Sequence, residues 1–215
     1  MRPWATDGRM TYDPATHNRR SIRLREYDYA QAGAYFVTIC TQHRECLFGE
    51  IVDGRARLNA PGEVVAAEWS RSARIRREIE LDSFVVMPNH VHGIVVIRDV
   101  GAHGRAPLLP SPPYRPPRSL GSFVAGFKSA ATKRINAIRG TPGLPVWQRN
   151  YYEHVIRNED DLDRVRRYIA ENPLRWEEDP ENPLSVSAPR PRRAVGAVRE
   201  PPLRGTYSEN GRAAP

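Results

Sequence analysis

Residues 84–97, FVVMPNHVHGIVVI, form the most strand-like run in this chain and constrain its fold more than any other segment. β-branched and large apolar residues dominate it, as suits a strand inside a sheet. Side chains alternate faces along a strand, so His90 and His92 project from one face, with Val85, Val91 and Val95 on the other. Imidazole is a common ligand for divalent metals, and two on one rigid strand make half of a site. A pair of hydrogen-bonded structural histidines is the alternative, and the pair alone does not separate the two.

The surrounding segments alternate between strand and helix signals. Residues 34–42 are a β-branched and aromatic run, and residues 47–58 read as a hairpin turning on Asp53-Gly54. Pro61 opens a helix with Val64, Val65, Ala67 and Ile75 near the helical period. Ser119 caps a second helix with Leu120, Phe123, Val124, Phe127, Ala131 and Ile135 on one face, and Lys128, Lys133 and Arg134 on the other. A final strand over 146–156 leads into a third helix. The order β-ββ-α-β-α-β-α predicts an α+β domain, an antiparallel sheet covered by helices and close to the ferredoxin-like arrangement.

Residues 1–20 and 177–215 are expected to be disordered tails; the latter holds seven prolines and little apolar content. Residues 99–118, rich in Pro and Gly, are expected to form a flexible loop inside the 21–176 domain. The net charge is +8, and residues 21–176 carry 23 Lys+Arg against 17 Asp+Glu, so the domain keeps +6. Such a surface attracts polyanions, nucleic acid first among them. No apolar run is long enough to span a membrane, and the N-terminus lacks the apolar stretch of a signal peptide. Cys40 and Cys46 are too few for a disulfide scaffold and read as buried small hydrophobes, so a cytoplasmic setting is expected.

The third helix starts at an Asn158 cap with an acidic first turn, and Pro173 is expected to end it by disfavouring helical geometry at Asn172. Leu162, Val165 and Ile169 form the apolar arc that must face the sheet, and Tyr168 and Asn172, four apart, flank it. A phenol and a carboxamide there can meet the strand-borne histidines as nucleophile and third metal ligand. Tyr168 as a packing residue and Asn172 as a helix-end residue are the other readings.

Residues 86–95 (VMPNHVHGIV), 146–157 (VWQRNYYEHVIR) and 168–173 (YIAENP) together resemble the REP-associated tyrosine transposases, a single-tyrosine branch of the HUH endonucleases. The similarity covers about residues 20–176. The resemblance implies that His90, His92 and Asn172 hold a divalent metal, Mg²⁺ or Mn²⁺, and that Tyr168 is the nucleophile. It implies transesterification on single-stranded DNA beside hairpins of REP-like palindromes, through a 5′-phosphotyrosine link, by a monomer or a homodimer. Lys128, Lys133, Arg134, Arg149 and Asn150 are the candidate DNA contacts, next to Trp147, Tyr151 and Tyr152 for unpaired bases. His154 is a candidate base, with an inward structural role as the alternative. A DNA-hairpin-binding protein with a vestigial site, or a small metal hydrolase, are the competing functions.

Overall fold

A computed structural model describes residues 28–99 and 118–185. The expected arm 1–20 and nearly all of the 99–118 loop lie outside the described residues, as does the tail beyond 185. Along the chain run β1 (Gly33–Cys40), β2 (Gly49–Val52), β3 (Arg55–Leu58), α1 (Ala60–Ile75), β4 (Ile79–Met87), β5 (His90–Ile97), α2 (Leu120–Arg139), β6 (Tyr152–Ile156) and α3 (Glu159–Glu171). A 3-10 turn over Pro173–Glu178 follows.

Four strands make one antiparallel sheet in the order β4-β5-β1-β6, and β2-β3 form a separate hairpin. Setting that hairpin aside, β1-α1-β4-β5-α2-β6 is the βαββαβ order with the first strand inside the sheet, the ferredoxin-like arrangement expected. The hairpin turns where Asp53 and Gly54 both take positive φ, 49° and 70°, which matches the right-handed twist of its strands.

Strand register sorts the side chains into two layers. Tyr35, Val37, Ile39, Val91 and Val95 face α1 and α2, joining Trp69, Phe123 and Phe127 in the larger core. Phe36 and Ile94 face the other way, onto Val165 and Ile169 of α3. Helix ends follow their caps: the Asn59 side chain accepts from the Gly62 N–H, Ser119 and Ser122 form a capping box, and the Asn158 side chain accepts from the Asp161 N–H.

Several expectations are corrected. The 84–97 run is not one strand but the second half of β4 and all of β5, folded over Pro88 and Asn89. Pro-Asn is a turn pair, and a continuous apolar run hid it. The fold-back places Val85 directly opposite His92, on the histidine face, rather than behind it. In α1, Ala67 and Ile75 are exposed, and the buried arc runs through Val64, Val65, Glu68 and Trp69 instead. Cys46 is exposed and only Cys40 is partly covered. The last strand is confined to Tyr152–Ile156, with Trp147 making an isolated bridge to Thr41. Residues 177–185, expected in the tail, pack onto the domain with Asp179 and Asn182 buried.

Candidate active site

β5 begins at His90, so the paired histidines sit at one end of the sheet, flanked by β1 and β4. Cys40 and Thr38 of β1 lie opposite His90 and His92. Both imidazoles are buried, and their Nε2 atoms approach to 3.0 Å. Phe36 stacks on His92 with ring centres 5.4 Å apart.

Their outer nitrogens are held by named partners. The Asn89 side-chain N–H group donates to the carbonyls of Arg44 (3.1 Å) and Glu181 (2.7 Å), which turns its amide oxygen toward His90 Nδ1 at 2.8 Å. An amide oxygen only accepts, so the His90 Nδ1 carries the proton and its Nε2 presents a lone pair. His92 Nδ1 is 2.8 Å from Thr38 Oγ1, which can accept from it in the same way. Partners of this kind set the tautomer that a metal ligand needs. Burial pushes His90 below the ordinary histidine range, although Asp179 and Glu181 pull the other way. Burial, reinforced by His90, pushes His92 well below it. Both rings are therefore neutral near pH 7.

α3 and the turn after it bring the remaining groups. The Tyr168 hydroxyl lies 3.5 Å from His92 Nε2, with its ring edge-on to Phe36. Burial, then the carboxylates of Asp179 and Glu181, push the phenol well above its usual range. Asn172 is buried; its side-chain N–H donates to Asp179 Oδ2 at 3.0 Å, while its Oδ1 is covered and has no hydrogen-bond partner among the described residues. Asp179 Oδ2 is 3.9 Å from His90 Nε2. Asn172 keeps helical geometry (φ −57°, ψ −42°) despite Pro173, because its N–H, carbonyl and side chain are all tied into the turn.

Two converging Nε2 lone pairs, an unsatisfied amide oxygen and a buried carboxylate form a donor set suited to a divalent cation. His90, His92 and Asp179 can each point a ligand atom at one position. A mixed nitrogen and oxygen set of this kind fits Mn²⁺ or Mg²⁺.

The structure brings together His90, His92, Tyr168 and Asn172. It does not bring Lys128, Lys133, Arg134, Arg149 or Asn150 into that cluster. Lys128 Nζ donates to the carbonyls of Gln148 and Asn150, Arg134 pairs with the buried Glu68 carboxylate at 2.6 Å, and Lys133 and Arg149 line a cleft beside α2. His154 is bonded to Asp161 at 2.9 Å, the structural alternative. Sequence reasoning missed Asp179, along with Asn89, Thr38 and Glu181 as supports. Trp176, a lone aromatic among acidic residues, was the signal available; its ring packs 6.1 Å from His90.

No family model matches the chain. An uncharacterized protein of Haemophilus influenzae is 39% identical over 173 residues, covering 78% of this chain and 95% of that protein. A solved structure of a REP-associated tyrosine transposase bound to a REP hairpin aligns with TM-score 0.48 and 18% identity, over 83% of this chain and 99% of that one. A crystal structure of a candidate transposase from Deinococcus radiodurans aligns with TM-score 0.34 and 18% identity, over 69% and 95%.

Proposed function

This chain belongs to the same family as the Haemophilus influenzae protein, and we propose that it is a metal-dependent strand transferase acting on cytoplasmic single-stranded DNA beside REP-like hairpins. The observation that carries this reading is the convergence, within one chain, of the Tyr168 hydroxyl on the His90–His92 pair, with Asn172 one turn further along α3. This convergence supports a site built in cis, in a monomer or a homodimer.

Tyr168 Oη attacks the scissile phosphorus, the bond from phosphorus to the 3′ oxygen breaks, and a 5′-phosphotyrosine and a free 3′-hydroxyl result. The phenolic proton leaves to solvent and the departing 3′ oxygen takes one up. Attack by a 3′-hydroxyl on the phosphotyrosine reverses these changes and rejoins DNA, so no outside energy is consumed. His90 and His92, with Asn172 Oδ1 and Asp179 as oxygen donors, would hold a divalent cation, which would supply charge neutralisation for the phosphate that Tyr168 attacks. Phe36 fixes both the His92 ring and the Tyr168 ring, which holds the hydroxyl in one orientation. The buried phenol, beside two carboxylates, stays protonated at neutral pH.

That resting state also favours a second reading, a hairpin-binding protein that no longer turns over. The two separate on a denaturing gel, using a hairpin oligonucleotide with single-stranded flanks and Mn²⁺. Wild type should form a covalent protein–DNA adduct that chelator abolishes, and Tyr168→Phe should bind DNA but form none. Adduct surviving in Tyr168→Phe removes Tyr168 as nucleophile, and binding without adduct in wild type leaves the hairpin-binding reading.

A further inference from the structure

The turn after β1 brings a guanidinium to the histidine end of the sheet. His43 and Arg44 both take positive φ, 58° and 60°, where a side chain crowds its own backbone. Two such residues in a row persist only where their surroundings hold them. Thr41 Oγ1 donates to the Glu45 carbonyl at 2.8 Å, and the Asn89 side chain donates to the Arg44 carbonyl at 3.1 Å. The same Asn89 amide meets His90 Nδ1 through its oxygen, so one side chain locks the Arg44 backbone to His90.

The Arg44 side chain is held as firmly. Its Nε lies 3.0 Å from Glu181 Oε2, and its Nη1 donates to the Pro180 carbonyl at 3.2 Å. Glu181 Oε2 also accepts from Cys40 Sγ at 3.5 Å, and Cys40 pairs with His90 across the sheet, on the same face. An anionic oxygen is therefore already seated between the guanidinium and the His90 end of the cluster. His90, held down first by burial, is lowered further by the Arg44 charge. Arg44 Nη2 has no partner among the described residues, and the side chain keeps 24% of its surface exposed, enough for a second anion to reach it. Tyr168 meets the histidine pair at His92, and Arg44 is tied to its other member.

We propose that Arg44 is a phosphate contact of this site, its free guanidinium edge donating to an oxygen of the phosphodiester that Tyr168 attacks. The inference rests on the strand-transferase reading and adds to it a charged donor on the His90 side. Guanidinium and phosphate oxygens form strong charge-assisted hydrogen bonds, and a guanidinium already fixed at Nε and Nη1 loses little freedom in making one more. Pro180 and Glu181 are then positioning residues that act through Arg44.

Thymidylyl-thymidine, a dinucleotide with a single phosphodiester, serves as the probe, with the full chain carrying Tyr168→Phe so that no bond is made. Mn²⁺ is held at saturation for each variant by calorimetry, and broadening of the probe's ³¹P line reports binding. Arg44→Gln should weaken binding about tenfold, the share of one charge-assisted hydrogen bond. Arg44→Lys keeps the charge without the fork and should fall between the two. Glu181→Gln breaks the same ion pair but frees the guanidinium, and should tighten binding about threefold. Unchanged binding in Arg44→Gln, or weakening in Glu181→Gln, overturns the contact and makes the pair a tie for residues 179–182 alone. In ¹⁵N-arginine wild type with Mg²⁺, the probe should also move the Arg44 Nε–H resonance. A fixed resonance overturns the contact, and this measurement requires no variant to fold. Wild type that forms no adduct, with Arg44-dependent probe binding, defeats the strand-transferase reading and not the contact. Adduct formed at the wild-type rate by Arg44→Gln, with unchanged probe binding, does the reverse.

Discussion

His92 and Gly93 are neighbours in the chain and serve opposite faces of one sheet. Gly93 lies under Trp69 on the side of α1 and α2, where aromatic and aliphatic side chains fill a broad core. His92 looks onto α3, where the apolar contact is small (Phe36, Ile94, Val165, Ile169) and gives way to the buried polar groups Thr38, His90, Asn172 and Asp179. Burying such groups costs free energy unless each finds a partner. The contrast teaches a division of labour: one layer supplies the stability that lets the other hold an under-satisfied polar cluster.

The strongest way to break that comparison is to empty the larger core. Trp69→Ala should lower unfolding free energy by about 3–5 kcal/mol in urea titration, while adduct formed per folded molecule stays near wild type. An equally large fall in specific activity would mean that the layers are not separable. Next in size is cation linkage on the other face. Mn²⁺ at about 100 times its dissociation constant should stabilise wild type by about 2.7 kcal/mol, and His92→Gln should lose that gain in calorimetry while folding without the metal. Because burial holds both imidazoles neutral below the ordinary histidine range, this gain should stay level as pH falls from 8 to about 6.5, where exposed histidines already compete with metal for protons. Smaller again is Gly93→Ala. A Cβ there would sit 2.4 Å from Trp69 Cζ2, so the ring must shift, at a cost of about 1–3 kcal/mol by thermal melting.

Much of this was legible in sequence because it rests on local rules. The caps Asn158 and Ser119, the Asp53-Gly54 turn and the faces of α2 and α3 follow from spacing and hydrogen-bonding chemistry within a few residues. The His90–His92 pair and the Tyr168–Asn172 spacing are likewise short-range patterns. What was not legible depends on contacts far apart in the chain. Asp179 is bonded by Asn172, and its neighbour Glu181 is tied to the domain by Arg44 and by Asn89, which donates to the Glu181 carbonyl; neither of the latter ties leaves a mark near residue 179. A Pro-rich, acidic stretch read alone describes a tail. Arg134 shows the same limit: its place on a polar helix face suggests DNA, but Glu68 of α1 already holds it.

The smallest expected effect concerns how α3 is anchored on the polar side. Arg166, two residues before Tyr168, pairs with Asp82 of β4 at 2.7 Å, beside the bulge between Leu81 and Phe84. The hydrogen bond from Arg166 holds the Asp82 carboxyl down at about 2. A carboxyl depressed in the folded state binds fewer protons than the unfolded chain does, so its stabilisation is complete above the ordinary carboxylate value near 4 and disappears as pH falls toward 2. Asp82→Asn should therefore unfold at slightly lower urea than wild type at pH 7 and 5, and the two curves should merge by about pH 2. The gap should be small, since both side chains touch solvent and salt screens them. If the pair mainly places Tyr168, the substitution should also slow adduct formation at pH 7 by more than its shift in urea midpoint accounts for. A stability loss with unchanged adduct rate would make Asp82–Arg166 a brace for the fold alone, and would leave Phe36 as the group that orients the nucleophile.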